Sequence, residues 1–152
     1  TIMDKANNYF DLSEMKYYEA WTHENTIPGG MHYDKDELLY IEGELKFPLC
    51  STVFYANVSD DIKGGKLLFE DGVTIEPKFN RLIIFNTNDY SYHGIPDKVD
   101  YPKTNPRKSV ILYFYTQAKR KKSETKISKP HSALWVKKKY KDHKNKITRS
   151  YF

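Results

Sequence analysis

The sequence contains a single cysteine, Cys50, in 152 residues. One thiol cannot form an internal disulfide framework, and it excludes a zinc site built from several cysteines. Long apolar runs are also missing, and no stretch approaches the ~20 consecutive apolar residues of a membrane-spanning helix. The N-terminus, Thr-Ile-Met-Asp-Lys, lacks the apolar core of a secretory signal. We therefore expect a cytoplasmic protein with no membrane partner.

The net charge of +5 is unevenly distributed along the chain. Residues 1–118 contain 12 Lys and Arg against 18 Asp and Glu, a net charge of −6, whereas residues 119–152 contain 13 against 2, a net charge of +11. This change predicts a folded domain over 1–118 and a basic C-terminal tail over 119–152. Nucleic acid or another anionic partner is expected only through the tail, and the alternative is a solvated appendage.

The middle of the chain is a series of short segments with the residue types of β-strands, separated by turn signals. Asp71-Gly72 predicts a tight hairpin, and Pro28-Gly29-Gly30 predicts a turn. Residues 8–18 fit a short helix or an irregular lead-in. Many short strands with little helix are typical of a sandwich or a barrel, so the fold class is mainly β. We expect the strands at residues 19–23, 51–57, 66–70, 73–76, 81–86, 91–95 and 107–116.

The last of these strands has two different faces, because alternate residues of a strand point to opposite sides. One face carries polar and large side chains, and the other is mostly apolar, so some other segment must cover it. The N-terminal segment and the cluster Ala133-Leu134-Trp135-Val136 are the two candidates. The mixed face consists of Arg107, Ser109, Ile111 and Tyr113, and the apolar face of Lys108, Val110, Leu112 and Phe114.

Three residues have the composition of a metal site. His32 and Asp34 are two positions apart, so in an extended segment both side chains point the same way. His93 lies in another strand candidate, which a neighbouring position in a sheet would bring to the same point. Two imidazoles and one carboxylate on one face of a metal, with the other positions open, form the facial triad of non-haem Fe(II) oxygenases.

Arg107 lies 14 residues after His93 and begins the mixed face of the last strand. Because a buried arginine is costly unless it is paired with an anion, we expect an anionic ligand beside it. A guanidinium binds a carboxylate through two parallel hydrogen bonds, and Ser109 on the same face can add a hydroxyl donor.

The segments from His32 to Thr116, about 85 of the 152 residues, resemble the 2-oxoglutarate- and Fe(II)-dependent dioxygenases. Within that superfamily they are most similar to the prolyl hydroxylase branch, including the hypoxia-inducible-factor prolyl hydroxylases. The ordered set of motifs is specific, although each motif alone is weak. The matching segments are His32-Tyr33-Asp34, residues 52–57, Gly64-Gly65, residues 75–82 (Ile-Glu-Pro-Lys-Phe-Asn-Arg-Leu), His93-Gly94 and residues 107–115.

The resemblance implies a double-stranded β-helix, a jelly roll similar to that of the cupins. It implies Fe(II) bound by His32, Asp34 and His93 as the catalytic centre, with 2-oxoglutarate and O2 as co-substrates and ascorbate as an auxiliary reductant. It also implies that Arg107 and Tyr55 bind the distal carboxylate of 2-oxoglutarate. The implied reaction hydroxylates proline, free or in a peptide or protein, while 2-oxoglutarate is converted to succinate and CO2. We expect Tyr113, which faces the cavity, to contact the substrate.

Two departures from the prolyl hydroxylase pattern affect these expectations. Ile111 stands where that branch often has threonine, so Ser109 is expected to take over its hydrogen bond. Only 31 residues precede His32, so part of the usual N-terminal support is expected to be missing.

The alternative activities are oxidation of another small molecule and demethylation of nucleic acid. The last strand argues against demethylation, because it has no counterpart of the second arginine in the Arg-x-Asn-x-x-x-x-x-Arg pattern of those enzymes. A jelly roll that only binds a ligand is the alternative from another class. The presence of both histidines, the aspartate and the arginine speaks against it.

Overall fold

The computed structural model describes residues 1–24, 28–41, 43–116 and 149–151. In this part of the chain the strands form two antiparallel sheets, and the helices are short. The prediction of a mainly β, jelly-roll-like fold with little helix is confirmed. The elements are α1 Ile2–Asn7, β1 Tyr17–His23, β2 Gly29–His32, α2 Glu37–Ile41, β3 Cys50–Asn57, β4 Leu67–Phe69, β5 Thr74–Ile75, β6 Leu82–Asn86, β7 His93–Ile95, β8 Lys108–Tyr115 and β9 Arg149–Tyr151.

The two sheets pack through a shared apolar core. The larger sheet has the strand order β1-β8-β3-β6-β9, and the smaller has the order β2-β7-β4-β5. Because alternate side chains of β3 and β6 point inward, each strand presents one row to the smaller sheet. The core between the sheets consists of Tyr55, Leu67, Phe69, Ile75, Ile83 and Phe85.

The N-terminal segment covers the outer face of the larger sheet. Ala6 of α1 and Leu12 are buried against Cys50, Ile84 and Phe114, whose side chains point away from the inner core. Of the two predicted covers for the apolar face of β8, the N-terminal one is thus found. The other candidate, residues 133–136, lies outside the described residues. Burial in this layer also raises the pKa of the Cys50 thiol to about 12, which makes the residue an inert core side chain.

The hairpin was predicted correctly, and one of the two alternatives for residues 8–18 is found as far as residue 16, after which β1 begins. Gly72 has a φ of 88°, a conformation that favours glycine, and it closes the turn that joins β4 and β5. Residues 8–16 contain no helix, so of the two alternatives for this segment the irregular lead-in is found.

The predicted turn at Pro28-Gly29-Gly30 is wrong, because Gly29 and Gly30 begin β2. Pairing with β7 supplies this strand with hydrogen-bond partners that the local sequence does not indicate. A further difference is β9, which was not predicted. It pairs with β6 at the edge of the larger sheet, with Ile84 opposite Ser150.

Candidate metal and co-substrate site

The pairing of β2 with β7 brings the three predicted metal ligands together. His32 ends β2 and His93 begins β7, and the two are direct cross-strand partners. Asp34 follows two residues after His32, and its Oδ1 lies 3.3 Å from Nε2 of His32 and 3.5 Å from Nε2 of His93. The three ligand atoms all lie within 4.8 Å of one another. One nitrogen from each strand and one oxygen therefore face a common point.

Backbone carbonyls fix the orientation of both imidazoles. Nδ1 of His32 is 2.9 Å from the carbonyl oxygen of Gly30, and Nδ1 of His93 is 2.6 Å from that of Ser91. A carbonyl oxygen only accepts, so each Nδ1 carries a hydrogen and each Nε2 faces Asp34. Nε2 donates to the carboxylate when the ring is protonated, and it offers a lone pair to a metal when the ring is neutral. The sequence did not reveal these partners, since any residue supplies a carbonyl.

The charges in the cluster stabilise one another. Burial disfavours the charged form of His32, but the hydrogen bond and charge of Asp34 outweigh it and raise the His32 pKa above its ordinary value. Burial likewise opposes ionisation of Asp34, yet His93 and His32 hold the Asp34 pKa well below its usual range. Asp34 is therefore a buried carboxylate, only 2% exposed. Its Oδ2 has no hydrogen-bond partner among the described residues.

These donors fit a divalent transition metal. Two neutral imidazole nitrogens and one carboxylate oxygen are the ligands that Fe(II) takes in the facial triad. A cation would also replace the contacts between Asp34 and the two imidazoles, and it would satisfy the carboxylate oxygen that is left without a hydrogen bond.

Arg107 provides a second group of unpaired donors. The residue is 3% exposed, and its Nε and Nη1 have no hydrogen-bond partner in the described part of the chain. The hydroxyl of Tyr55 is likewise buried without a partner, and Tyr55 lies opposite Ser109 in the pairing of β3 with β8. Burial lowers the pKa of Arg107 and raises that of Tyr55, because the charged form of each side chain loses hydration when it is buried. Unpaired buried donors of this kind fit an anionic ligand.

One cavity of about 420 Å³ joins the two groups of residues. The predicted site residues His32, Asp34, His93, Arg107, Tyr55, Ser109 and Tyr113 all line it. The hydroxyl of Tyr113 also donates a hydrogen bond to Oδ1 of Asp34. The sequence did not indicate this hydrogen bond.

Strand β1 contributes three cavity residues that the sequence did not single out as functional, Glu19, Trp21 and His23. The indole nitrogen of Trp21 donates to Nε2 of His23 at 2.9 Å, and both side chains line the cavity. Trp21 also packs edge-on against Tyr113, with ring centroids 4.4 Å apart. The pairing of β1 with β8, in which Trp21 lies opposite Ile111 and His23 opposite Ser109, explains their position. Alternate residues of β1 share one face, but the sequence does not show that this face lines the cavity unless the pairing of β1 with β8 is already known.

Gly94 permits the close approach of β2 and β7 at the site. A Cβ atom built on Gly94 would lie 2.7 Å from the carbonyl oxygen of Gly30 and 2.9 Å from Cα of Met31. Gly94→Ala should therefore push β2 away, together with the carbonyl that holds His32. We expect a loss of about 1–3 kcal/mol in the free energy of unfolding and Mn(II) binding weaker by about 10-fold or more. Urea denaturation and Mn(II) titration measure the two effects.

Gly29→Ala is the matched control, because Gly29 lies in the same strand pair and a Cβ there meets nothing within 4 Å. We expect this variant to change stability by less than about 0.5 kcal/mol. Equal behaviour of the two alanine variants would show that the contact at Gly94 does not determine the geometry of the site.

Comparison with known proteins identifies the family. Residues 22–115 match the sequence model of the 2OG-Fe(II) oxygenase superfamily. The match covers more than half of the chain, so the protein belongs to this superfamily of oxygenases, which use Fe(II), 2-oxoglutarate and O2. No curated protein and no solved structure matched the chain. Among the described residues, no helix is both long enough and apolar enough to cross a bilayer.

Proposed function

We propose that this protein is a dioxygenase that hydroxylates proline in a peptide or protein, or free proline. In this proposal His32, Asp34 and His93 bind Fe(II), and Arg107, Tyr55 and Ser109 bind 2-oxoglutarate. The observation that carries the assignment of a 2-oxoglutarate-dependent oxygenase is the buried guanidinium of Arg107. Its Nε and Nη1 have no partner among the described residues, and it lines the same cavity as the two imidazoles and the carboxylate. Arg107 supplies the cation that a dicarboxylic co-substrate needs, and the cluster supplies the metal ligands.

Bound Fe(II) would supply the activation of O2, so that one oxygen atom enters a C–H bond of the substrate and the other enters succinate as CO2 is released. The protein positions the reactants. The carbonyls of Gly30 and Ser91 hold Nε2 of each imidazole toward the metal. The guanidinium of Arg107 orients one carboxylate of 2-oxoglutarate, and the apolar side chains of Val53 and Leu67 help to exclude water from the cavity.

The cavity wall supports proline as the substrate. A prolyl residue has an apolar ring and no backbone N–H, so its recognition needs apolar and aromatic contacts more than hydrogen bonds. Trp21, Ile95 and Ile111 provide such contacts along the cavity that contains the metal ligands. Ascorbate, the auxiliary reductant, is part of the proposal only as an additive that maintains the ferrous state.

The test is turnover by the full chain with Fe(II), 2-oxoglutarate, O2 and ascorbate. We expect succinate to form in step with the addition of one oxygen atom to a proline-containing peptide or to proline, as measured by mass spectrometry. Methylated oligonucleotides are the competing substrates, because the basic tail at residues 119–152 is the feature that favours nucleic acid. Turnover of oligonucleotides without turnover of proline would contradict the proposed substrate. An absence of any metal and 2-oxoglutarate binding would favour a jelly roll without enzymatic activity.

A further inference from the structure

The hydroxyl of Tyr113 connects the two sheets at the candidate metal ligand. Tyr113 lies on β8 in the larger sheet, and it donates to Oδ1 of Asp34, which follows β2 in the smaller sheet. The two residues are 79 positions apart in the chain, so only the packing of the sheets brings them into contact. No other side chain on β8 that lines the cavity makes a described hydrogen bond to the carboxylate.

The phenol ring is held before any ligand binds. It packs edge-on against Trp21, and it contacts the ring of Tyr115 with centroids 6.3 Å apart. On its own sheet it lies between Glu19 of β1 and Ser51 of β3, in a strand paired on both sides. A side chain fixed in this way presents its hydroxyl at one point, so the hydrogen bond is a restraint on Asp34 with little freedom of its own.

Apart from Tyr113, the side chains that contact the carboxylate in the described part of the chain are the two imidazoles, and both of them face Oδ1. Its Oδ1 accepts from Tyr113, whereas its Oδ2 is buried without a partner among the described residues. A carboxylate can otherwise rotate and present either oxygen, or both, to a cation. A hydrogen bond to one oxygen restricts that rotation and so limits the coordination modes that are open to Asp34.

We propose that Tyr113 is a positioning residue, whose hydroxyl fixes the orientation of the Asp34 carboxylate toward the metal. This inference rests on the proposed function, because it assigns Asp34 as a ligand. It also gives Tyr113 a role distinct from the predicted contact with the substrate, since the hydroxyl is directed at Asp34 while the ring lines the cavity.

The test compares Tyr113→Phe with the wild-type chain in anaerobic titrations with Mn(II), and with Co(II) followed by its visible absorption. Loss of a hydrogen bond that orients a ligand typically weakens metal binding by about 10- to 100-fold, and we expect a loss in this range. We also expect a changed Co(II) spectrum, which reports on the coordination geometry and which a purely packing role of the ring would not alter. Wild-type affinity and an unchanged spectrum in Tyr113→Phe would overturn the inference.

Tyr115→Phe is the matched control, because Tyr115 is a neighbouring buried phenol on the same strand. Its hydroxyl is 3.4 Å from Oε2 of Glu19 and 3.5 Å from the carbonyl oxygen of Lys35, so it touches none of the three ligands. We expect its Mn(II) affinity to match that of the wild type. An equal loss in both variants would show a general effect of removing phenols, and it would overturn the specific role of Tyr113.

A pair of unnatural residues at position 113 keeps the test decisive if Tyr113→Phe does not fold. 4-Aminophenylalanine retains a hydrogen-bond donor, and 4-methylphenylalanine has almost the same size without one. We expect the amino variant to bind Mn(II) more tightly than the methyl variant by about 10-fold, and equal affinities would overturn the inference. Failure of the wild-type chain itself to bind Mn(II) is a different result, which would overturn the proposed function as well.

Discussion

Asp34→Ala is expected to abolish metal-dependent turnover and to weaken Mn(II) binding by more than about 100-fold. Asp34 supplies the one anionic ligand of the cluster, and two neutral imidazoles alone bind a divalent cation far less tightly. The fold should persist, because the side chain lies at the cavity and outside the apolar core that joins the sheets. Mn(II) titration, succinate formation and circular dichroism measure the three outcomes.

Asp36→Asn is the control for this substitution, because Asp36 is also buried and lies two residues further along the chain. Its carboxylate accepts from the backbone nitrogen of Leu39 at 3.0 Å at the start of α2, a role that asparagine also performs. We expect Asp36→Asn to retain metal binding and turnover. Full activity in Asp34→Ala would contradict the ligand assignment.

Arg107→Met is expected to have opposite effects on 2-oxoglutarate binding and on stability. Loss of the guanidinium should weaken binding by about 2–5 kcal/mol, since a carboxylate of the co-substrate is left unpaired in the cavity. That corresponds to a dissociation constant larger by about 30-fold to several thousand-fold. The free chain should become more stable by about 1 kcal/mol, because a buried cation with unpaired donors is replaced by an apolar side chain of similar length.

Calorimetric titration of 2-oxoglutarate in the presence of Mn(II), and urea denaturation without ligands, separate the two effects of Arg107→Met. Lys108→Ala is the control, because it removes the same charge one residue further along the strand. The Lys108 side chain is exposed and contacts Glu24 on the surface, at 3.5 Å. Unchanged co-substrate affinity in Arg107→Met would mean that another cation binds the carboxylate.

The sequence predicted the strands better than it predicted how they pair. β3, β6 and β8 are rich in β-branched and aromatic residues, and each was placed to within one residue at either end. The pairing of β2 with β7 depends on contacts between segments about sixty residues apart, and nothing in Gly29-Gly30 indicates a partner. The turn predicted there was wrong for this reason. The edge strand β9 is equally dependent on its neighbour, since Arg149-Ser150-Tyr151 has no strand pattern by itself.

The sequence predicted the part of the site that consists of uncommon side chains with directional ligand atoms. His32, Asp34 and His93 could be grouped from residue types and spacing, and their convergence within 4.8 Å agrees with that grouping, although their role as ligands remains a prediction. The carbonyls that orient the imidazoles could not be predicted, because backbone groups carry no sequence signal. The contact between Tyr113 and Asp34 was also beyond the sequence, since it depends on how far apart the two sheets pack.

The most direct test of the account is a crystal structure of the full chain with Mn(II) and a non-reactive analogue of 2-oxoglutarate. We expect one metal ion bound by Nε2 of His32, Nε2 of His93 and the carboxylate of Asp34. We also expect the distal carboxylate of the analogue to lie against the guanidinium of Arg107 and the hydroxyl of Tyr55. A metal bound elsewhere, or an analogue whose carboxylate pairs with a different cation, would contradict the account.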